Sequence, residues 1–309
     1  MRGGSSTDRP GVNVAGAAPA TDEAYRAVVD DVRAELVHRP LTQALALLVR
    51  SIPGGVFVDH GTHAFARCAA LPIPGTNGLI DHGGDERPVA DAVAPTVDAL
   101  APDRTPPFVM TFEGRATVMA EAERLGFRAD HGNAGMFLGR RAFRPAPMPP
   151  DVDVSIATDA GSLEAANRLV ADAFDVPTEL FGRFYTPEYL ARTGGRVVLL
   201  GNGDGPVSTA IAWPAGDAVG IFNVATPAPF RGRGFGAAAT SAAATVGFDT
   251  GAGSAFLQAS GIGEGIYRRL GFEEVGRYVF LGRADGTGVR HEGDARPGAA
   301  PPPAGPAAD

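Results

Sequence analysis

Apolar residues recur at helical spacing over Tyr25, Val28, Val29, Val32 and Leu36, and Thr21 or Asp22 stands where a cap belongs. This pattern predicts a first helix, and the run from Leu41 to Val49 predicts a second. Short apolar runs at Val56-Phe57-Val58, Ala64-Phe65-Ala66, Gly78-Leu79-Ile80 and Phe108 to Phe112 read as strands, with a helix from Arg115 to Arg124. Past residue 150 the alternation repeats. It predicts a strand near Val154 to Ile156, helices over Ser162 to Phe174 and Pro187 to Arg192, and strands at Arg196 to Leu200, Val207 to Trp213 and Val219 to Ala225. An Ala-rich helix to Phe248, a strand Ala255 to Gln258, a short helix Gly265 to Leu270 and a strand Tyr278 to Leu281 complete it. The reading is a mixed α/β fold.

A length of 309 residues exceeds the common single-domain size and gives a prior of two units. Residues 1–21 and 284–309 are rich in Gly, Ala and Pro and too poor in large apolar side chains to offset ordering entropy, so both read as disordered tails. Four prolines within Arg144 to Pro150 favour an extended linker over 144–150, which separates 22–143 from 151–283. An internal echo supports that division. Arg124-Leu125-Gly126-Phe127 leading to Phe137-Leu138-Gly139-Arg140 matches Arg269-Leu270-Gly271-Phe272 leading to Phe280-Leu281-Gly282-Arg283, as if one fold were duplicated.

Charge and composition narrow the function. A formal charge of -8 without a Lys/Arg cluster argues against a groove that tracks nucleic-acid phosphates. No apolar run approaches the roughly 18 residues of a membrane span, and no leader-like segment opens the chain. The lone Cys68 cannot pair within the chain and reads as a buried hydrophobe, so a cytoplasmic protein is expected.

The most chemically pointed stretch is Arg231-Gly232-Arg233-Gly234-Phe235-Gly236, followed by Ala237 at the start of the Ala-rich helix. Free amides and the helix dipole at such a terminus favour a diphosphate, glycines admit it closely, and Arg231 and Arg233 add charge at the rim. A nucleotide P-loop is excluded, because it needs Lys and Ser/Thr after its last glycine. Gly232-x-Gly234-x-x-Ala237 fits a relaxed dinucleotide fingerprint, but the next strand ends in Gln258 where a carboxylate is required, and Thr226 to Phe230 make the connection too long. A nicotinamide or flavin site is therefore the weaker reading.

In these residues the chain resembles the GNAT superfamily of N-acetyltransferases, whose signature is Q/R-x-x-G-x-G/A at a helix start. Arg231, Gly234 and Gly236 fall in register, and Tyr267 with Gly271-Phe272 matches the family's later Y-x-x-x-G-F. The resemblance covers 151–283. The first half resembles a degenerate copy, with Ala122 aligned to Tyr267 and no glycine signature. What it implies is a GNAT fold in tandem, with acetyl-CoA as acyl donor and no metal, acting as a monomer or homodimer. The acceptor would be a small-molecule or peptide amine that attacks the thioester directly in a ternary complex. Asn223, Val224 and Ala225 would face the pantetheine arm from a splayed strand, and Tyr267 would protonate the departing thiolate. Asp175, Glu179 and Glu188 are candidate bases. Phe174, Phe181, Phe184, Tyr185 and Tyr189 form either an acceptor wall or core, and Trp213 reads as core. His60, His63, Asp59, Cys68 and His82 lack metal-ligand spacing, since an i,i+3 pair on a strand points to opposite faces. A protein that binds acyl-CoA without turnover is the alternative from another class.

Overall fold

A computed structural model describes residues 22–103 and 105–283, so the expectations for residues 1–21 and 284–309 lie outside the described residues. The chain opens on one helix, α1 (Asp22–Arg50), that passes through Pro40 without a break, where two helices were predicted. An interior proline costs about 3 kcal/mol through its missing hydrogen bond and ring clash. Burial of Val37, Leu41, Ala44, Leu48 and Val49 on one side offsets that cost, since a fully buried Val or Leu contributes roughly 1.5–3 kcal/mol.

Strands β1 (Val56–Asp59), β2 (His63–Arg67) and β3 (Gly78–Asp81) lead to α2 (Glu86–Leu100), then β4 (Phe108–Phe112), α3 (Ala116–Arg124) and β5 (Phe127–Gly139). The second half repeats this order. It runs through β6 (Asp153–Ala157), α4 (Ala160–Phe174), α5 (Thr178–Gly182), α6 (Pro187–Thr193), β7 (Arg196–Asn202), β8 (Gly205–Ala215) and β9 (Ala218–Ala225). It ends with α7 (Phe235–Asp249), β10 (Ser254–Ala259), α8 (Gly261–Arg269) and β11 (Glu273–Arg283). Helix α2 was not predicted. Pro88 and Pro95 obscure it, yet Asp85 caps it through Arg87 N at 3.1 Å and Val89, Ala90 and Val93 are buried on one face.

Among the described residues the eleven strands form one sheet in the order β1-β2-β3-β4-β11-β5-β10-β9-β8-β7-β6. The centre of that order is an exchange. β5, the last strand of the first half, lies between β11 and β10, while β11 lies between β5 and β4. Each half thus completes the other, and the two parallel pairs, β3 with β4 and β9 with β10, occupy equivalent places on either side. Helices α1, α4, α5 and α6 cover one face over a core common to both halves. On the other face α7 and α8 pack against the second half, and α2 and α3 against the first. Residues 144–150 have no helix or strand and lie along α7, with Ala146 N donating to Ser241 Oγ at 2.8 Å. No helix among the described residues is long and apolar enough to cross a membrane.

His38 on α1 is buried between Phe112, Tyr278 and His82. Burial, reinforced by His82 and opposed by Asp81, lowers its pKa from 6.5 to about 4. Between those values the unfolded chain binds more protons than the folded one, so stability falls as pH drops through the window. The loss approaches the order of 3 kcal/mol at its acid end. Denaturant midpoints should therefore decline from pH 6.5 to 4, and a His38→Gln chain should decline less over the same range.

Candidate functional site

The ladder between β9 and β10 stops early. It pairs Ser254, Ala255 and Phe256 with Ala218, Val219 and Gly220, after which the two strands run on to Ala259 and Ala225 without pairing with each other. On its other edge β9 shifts register against β8: Ile211 faces Phe222 and Thr209 faces Ala225, so β9 has one residue more than its partner. That bulge contains Asn223 at φ 49°, a left-handed conformation asparagine tolerates better than most side chains. Its Nδ2 donates to Tyr185 Oη at 3.3 Å, which fastens the bulge to the segment between α5 and α6. Of the three backbone positions expected to face pantetheine, Asn223 and Val224 lie at this opening. Ala225, also expected there, is buried and its carbonyl accepts from Ser208 Oγ at 2.9 Å.

From β9 the chain passes Thr226 and a short turn, Ala228–Phe230, to the glycine cluster. Gly232 and Gly234 take φ of 76° and 85°, which glycine adopts without a Cβ penalty. Gly234 is the N-cap of α7 and has no side chain to cap it. Helix geometry leaves the amides of Phe235, Gly236 and Ala237 without intrahelical acceptors, so they are available to an anionic acceptor. A Cβ on Gly236 would stand 3.3 Å from Thr226 Oγ1, so a glycine here lets the turn lie close to the helix. Arg233 stacks over the Phe235 ring at 4.9 Å and stays exposed at the rim. Arg231, expected at the rim, is exposed beside it. Its guanidinium folds back to donate to Thr226 O and Ala173 O, both at 3.1 Å, tying the loop to the last turn of α4, whose carbonyls attract a cation.

Tyr267 projects from α8 and is half-buried, its ring edge-on to Phe272 at 6.0 Å. Its ring lies directly over Gly263 one turn earlier, where a Cβ would meet Tyr267 Cε2 at 2.6 Å. Gly263 was not singled out in the sequence, although its i,i+4 spacing to the tyrosine was a usable signal. Burial pushes the phenol up to about 12. Asp175, Glu179 and Glu188 are all exposed, and Asp175 is the left-handed C-cap of α4. Phe181, Phe184, Tyr185 and Tyr189 are buried and continue through Trp213 and Phe222 to Phe256, so these aromatics are core.

The equivalent place in the first half is occupied by the protein itself. The β3–β4 ladder ends at Ile80 and Met110, and the next residue, Asp81, is fully buried. It accepts from Arg115 Nε and Nη2, both at 2.9 Å, and from Thr111 Oγ1 at 2.6 Å. The mouth of α2 carries Asp85 as cap and Glu86 in its first turn, two carboxylates where α7 has none. His60 and His63 stack at 5.0 Å across a hairpin turn, not on opposite faces of one strand, and no group of three metal-ligating side chains converges among the described residues. A hollow of about 800 Å³ between α1 and the β8–β9 turn lies at the other end of β9 and β10 from the glycine cluster. Ligands in α/β sheets bind outside the carboxyl ends of parallel strands, so that hollow is separate from this site.

No family model matches the chain, and no curated protein matches it significantly in sequence. Solved structures do. A GCN5-related N-acetyltransferase from Kribbella flavida superposes with a TM-score of 0.61 at 22% identity, over 80% of this chain and 96% of that one. A GCN5-related N-acetyltransferase from Sphaerobacter thermophilus gives 0.54 at 16% identity, over 72% and 76%. A tandem GNAT protein from the clavulanic acid biosynthesis pathway gives 0.53 at 12% identity, over 85% and 95%. The chain has the GNAT fold in tandem arrangement. A doubly wound dinucleotide-binding sheet does not match this fold, because among the described residues each half has one parallel strand pair and its other pairings are antiparallel.

Proposed function

We propose that the second half transfers an acetyl or other short acyl group from acetyl-CoA to a primary amine of a small molecule or peptide. One contrast carries the reading. The opening beyond β9 and β10 leads to an uncapped, glycine-lined helix mouth, whereas its counterpart is filled by the Asp81–Arg115 pair and guarded by Asp85 and Glu86. Only the second half presents an electropositive cradle.

In this reading the amides of Phe235, Gly236 and Ala237 hold the diphosphate, with Arg233 beside them, and Gly232 and Gly234 provide the turn. Backbone groups at Asn223 and Val224 orient the pantetheine arm and meet the oxyanion. Removal of one such contact elsewhere costs roughly 3–4 kcal/mol. Positioning of the amine beside the thioester supplies the entropic part of the acceleration. Tyr267 acts by a hydrogen bond to the leaving sulfur. With a pKa near 12 the phenol stays protonated at working pH, and it holds its proton more tightly than a thiol of about 8.5, so it stabilises the thiolate without surrendering the proton outright. Asp175, Glu179 and Glu188 are exposed on the acceptor side, and none is singled out as base. That observation favours the second reading, an acyl-CoA-binding protein without turnover. Assaying CoA thiol release from acetyl-CoA with an amine panel separates the two: tight binding without acceptor-dependent release would establish the second.

A Tyr267→Phe chain should lose about 10- to 100-fold in kcat, the worth of one hydrogen bond to a charged group. Its affinity for CoA should be unchanged. The wild-type rate should show no inflection from Tyr267 between pH 7 and 10, since burial moves its ionisation above that range.

A further inference from the structure

The bulge in β9 has few fixed points. Neither Asn223 nor Val224 is paired in register with a residue of β8 or β10, and Ala225 beyond them is held separately by Ser208. Asn223 is held in its left-handed conformation by its side chain, whose Nδ2 donates to Tyr185 Oη. We infer, on the acyl-transfer reading of this opening, that Tyr185 is a positioning residue: through Asn223 it sets where the backbone of the bulge stands beside the thioester.

The tyrosine end of this tether is rigid. Tyr185 N donates to Gly182 O at 3.2 Å, the following residue Thr186 caps α6 through Tyr189 N at 3.2 Å, and the preceding Phe184 packs against Phe181, Tyr189 and Trp213. The ring of Tyr185 is buried, which leaves the phenol little freedom to move. A buried hydroxyl without a partner is costly, and Asn223 is the partner this one has. Phenylalanine would fill the same space, so packing alone does not account for a tyrosine here. Burial also raises the pKa of the phenol, so it accepts from Asn223 as a neutral hydroxyl. At the other end, glycine would take φ 49° without strain, and what asparagine adds is the side chain that reaches Tyr185. Strained backbone held in place by surrounding contacts is a recurrent form of pre-organisation at functional sites. The first half lacks the device. β3, the counterpart of β9, pairs with β2 from Gly78 to Asp81 without a register shift, in the half whose site is filled by Asp81 and Arg115. Bulge and tether thus accompany the open glycine-lined mouth and are missing beside the filled one.

The test measures transfer from acetyl-CoA to the fastest amine of the panel by the full chain, with calorimetry of CoA binding in parallel. Tyr185→Phe keeps the ring and its packing, so the variant should fold and bind CoA as the wild type does. Its kcat should fall about tenfold, the worth of one hydrogen bond. Asn223→Gly should lose a similar factor, because glycine accepts φ 49° but has no side chain to tether. Adding Tyr185→Phe to Asn223→Gly should then lower kcat no further, since two residues that act through one bond are not additive. A tyrosine that only supported α5 and α6 would give the same loss in both backgrounds. That result would overturn the inference, as would a wild-type kcat in Tyr185→Phe or a loss confined to CoA affinity. Absence of transfer by the wild type would instead remove the acyl-transfer reading itself and this role with it, so the two failures are told apart.

Discussion

Replacing Gly234 with aspartate should weaken CoA binding at least 100-fold while leaving the chain folded. At φ 85° any other residue is strained, but an added Cβ has room, its nearest neighbour being Pro149 Cγ at 3.7 Å. Aspartate also tolerates the left-handed region better than most residues. As the N-cap of α7 its carboxylate would accept from the first-turn amides, the groups that the diphosphate needs. Two charge-assisted hydrogen bonds at about 1.5–3 kcal/mol each would be forfeited, with like-charge repulsion in addition. The substitution recreates what the first half already has at Asp85. Calorimetry with CoA measures the loss, and unchanged affinity would remove the helix mouth from the site.

The second large effect concerns residues 151–283 expressed alone, which should fail to give a soluble, cooperatively folding protein. Without β5, strand β10 loses its partner along Ser254–Ala259, and β11 loses the strand that joins it to the rest of the second half. The exposed edges would invite aggregation. Co-expression with 22–150 should restore solubility and CoA binding together. A fragment 151–283 that is monomeric, shows a sharp thermal transition and binds CoA would contradict the exchange of strands.

Local pattern carried much of this structure and non-local pairing carried the rest. The apolar runs at 56–58, 64–66, 78–80 and 108–112 all lie within strands, and the helices from 162, 187 and after the glycine cluster are present with small shifts at their ends. The two signatures pointed to the GNAT fold, which the structure has. What was not legible is what depends on residues far apart in sequence. β5 runs for 13 residues, but Gly132, Gly135 and the charged stretch before them mask its alternation, so the apolar pattern alone did not mark it as a strand. Its place between β10 and β11 has no local signal at all. The Asp81–Arg115 pair joins residues 34 apart, and Arg231 is drawn to Ala173 by a helix terminus that the sequence alone does not place. In α1 and α2, prolines that suggest interruption are overridden by burial of the surrounding apolar face.

Titration calorimetry of the full chain with CoA and with acetyl-CoA addresses the central claim most directly. A single site per chain should appear, saturable at micromolar concentration and weakened by inorganic pyrophosphate competing for the amides of α7. No heat with either ligand, from material shown to be folded, would contradict the assignment of an acyl-CoA site to this helix.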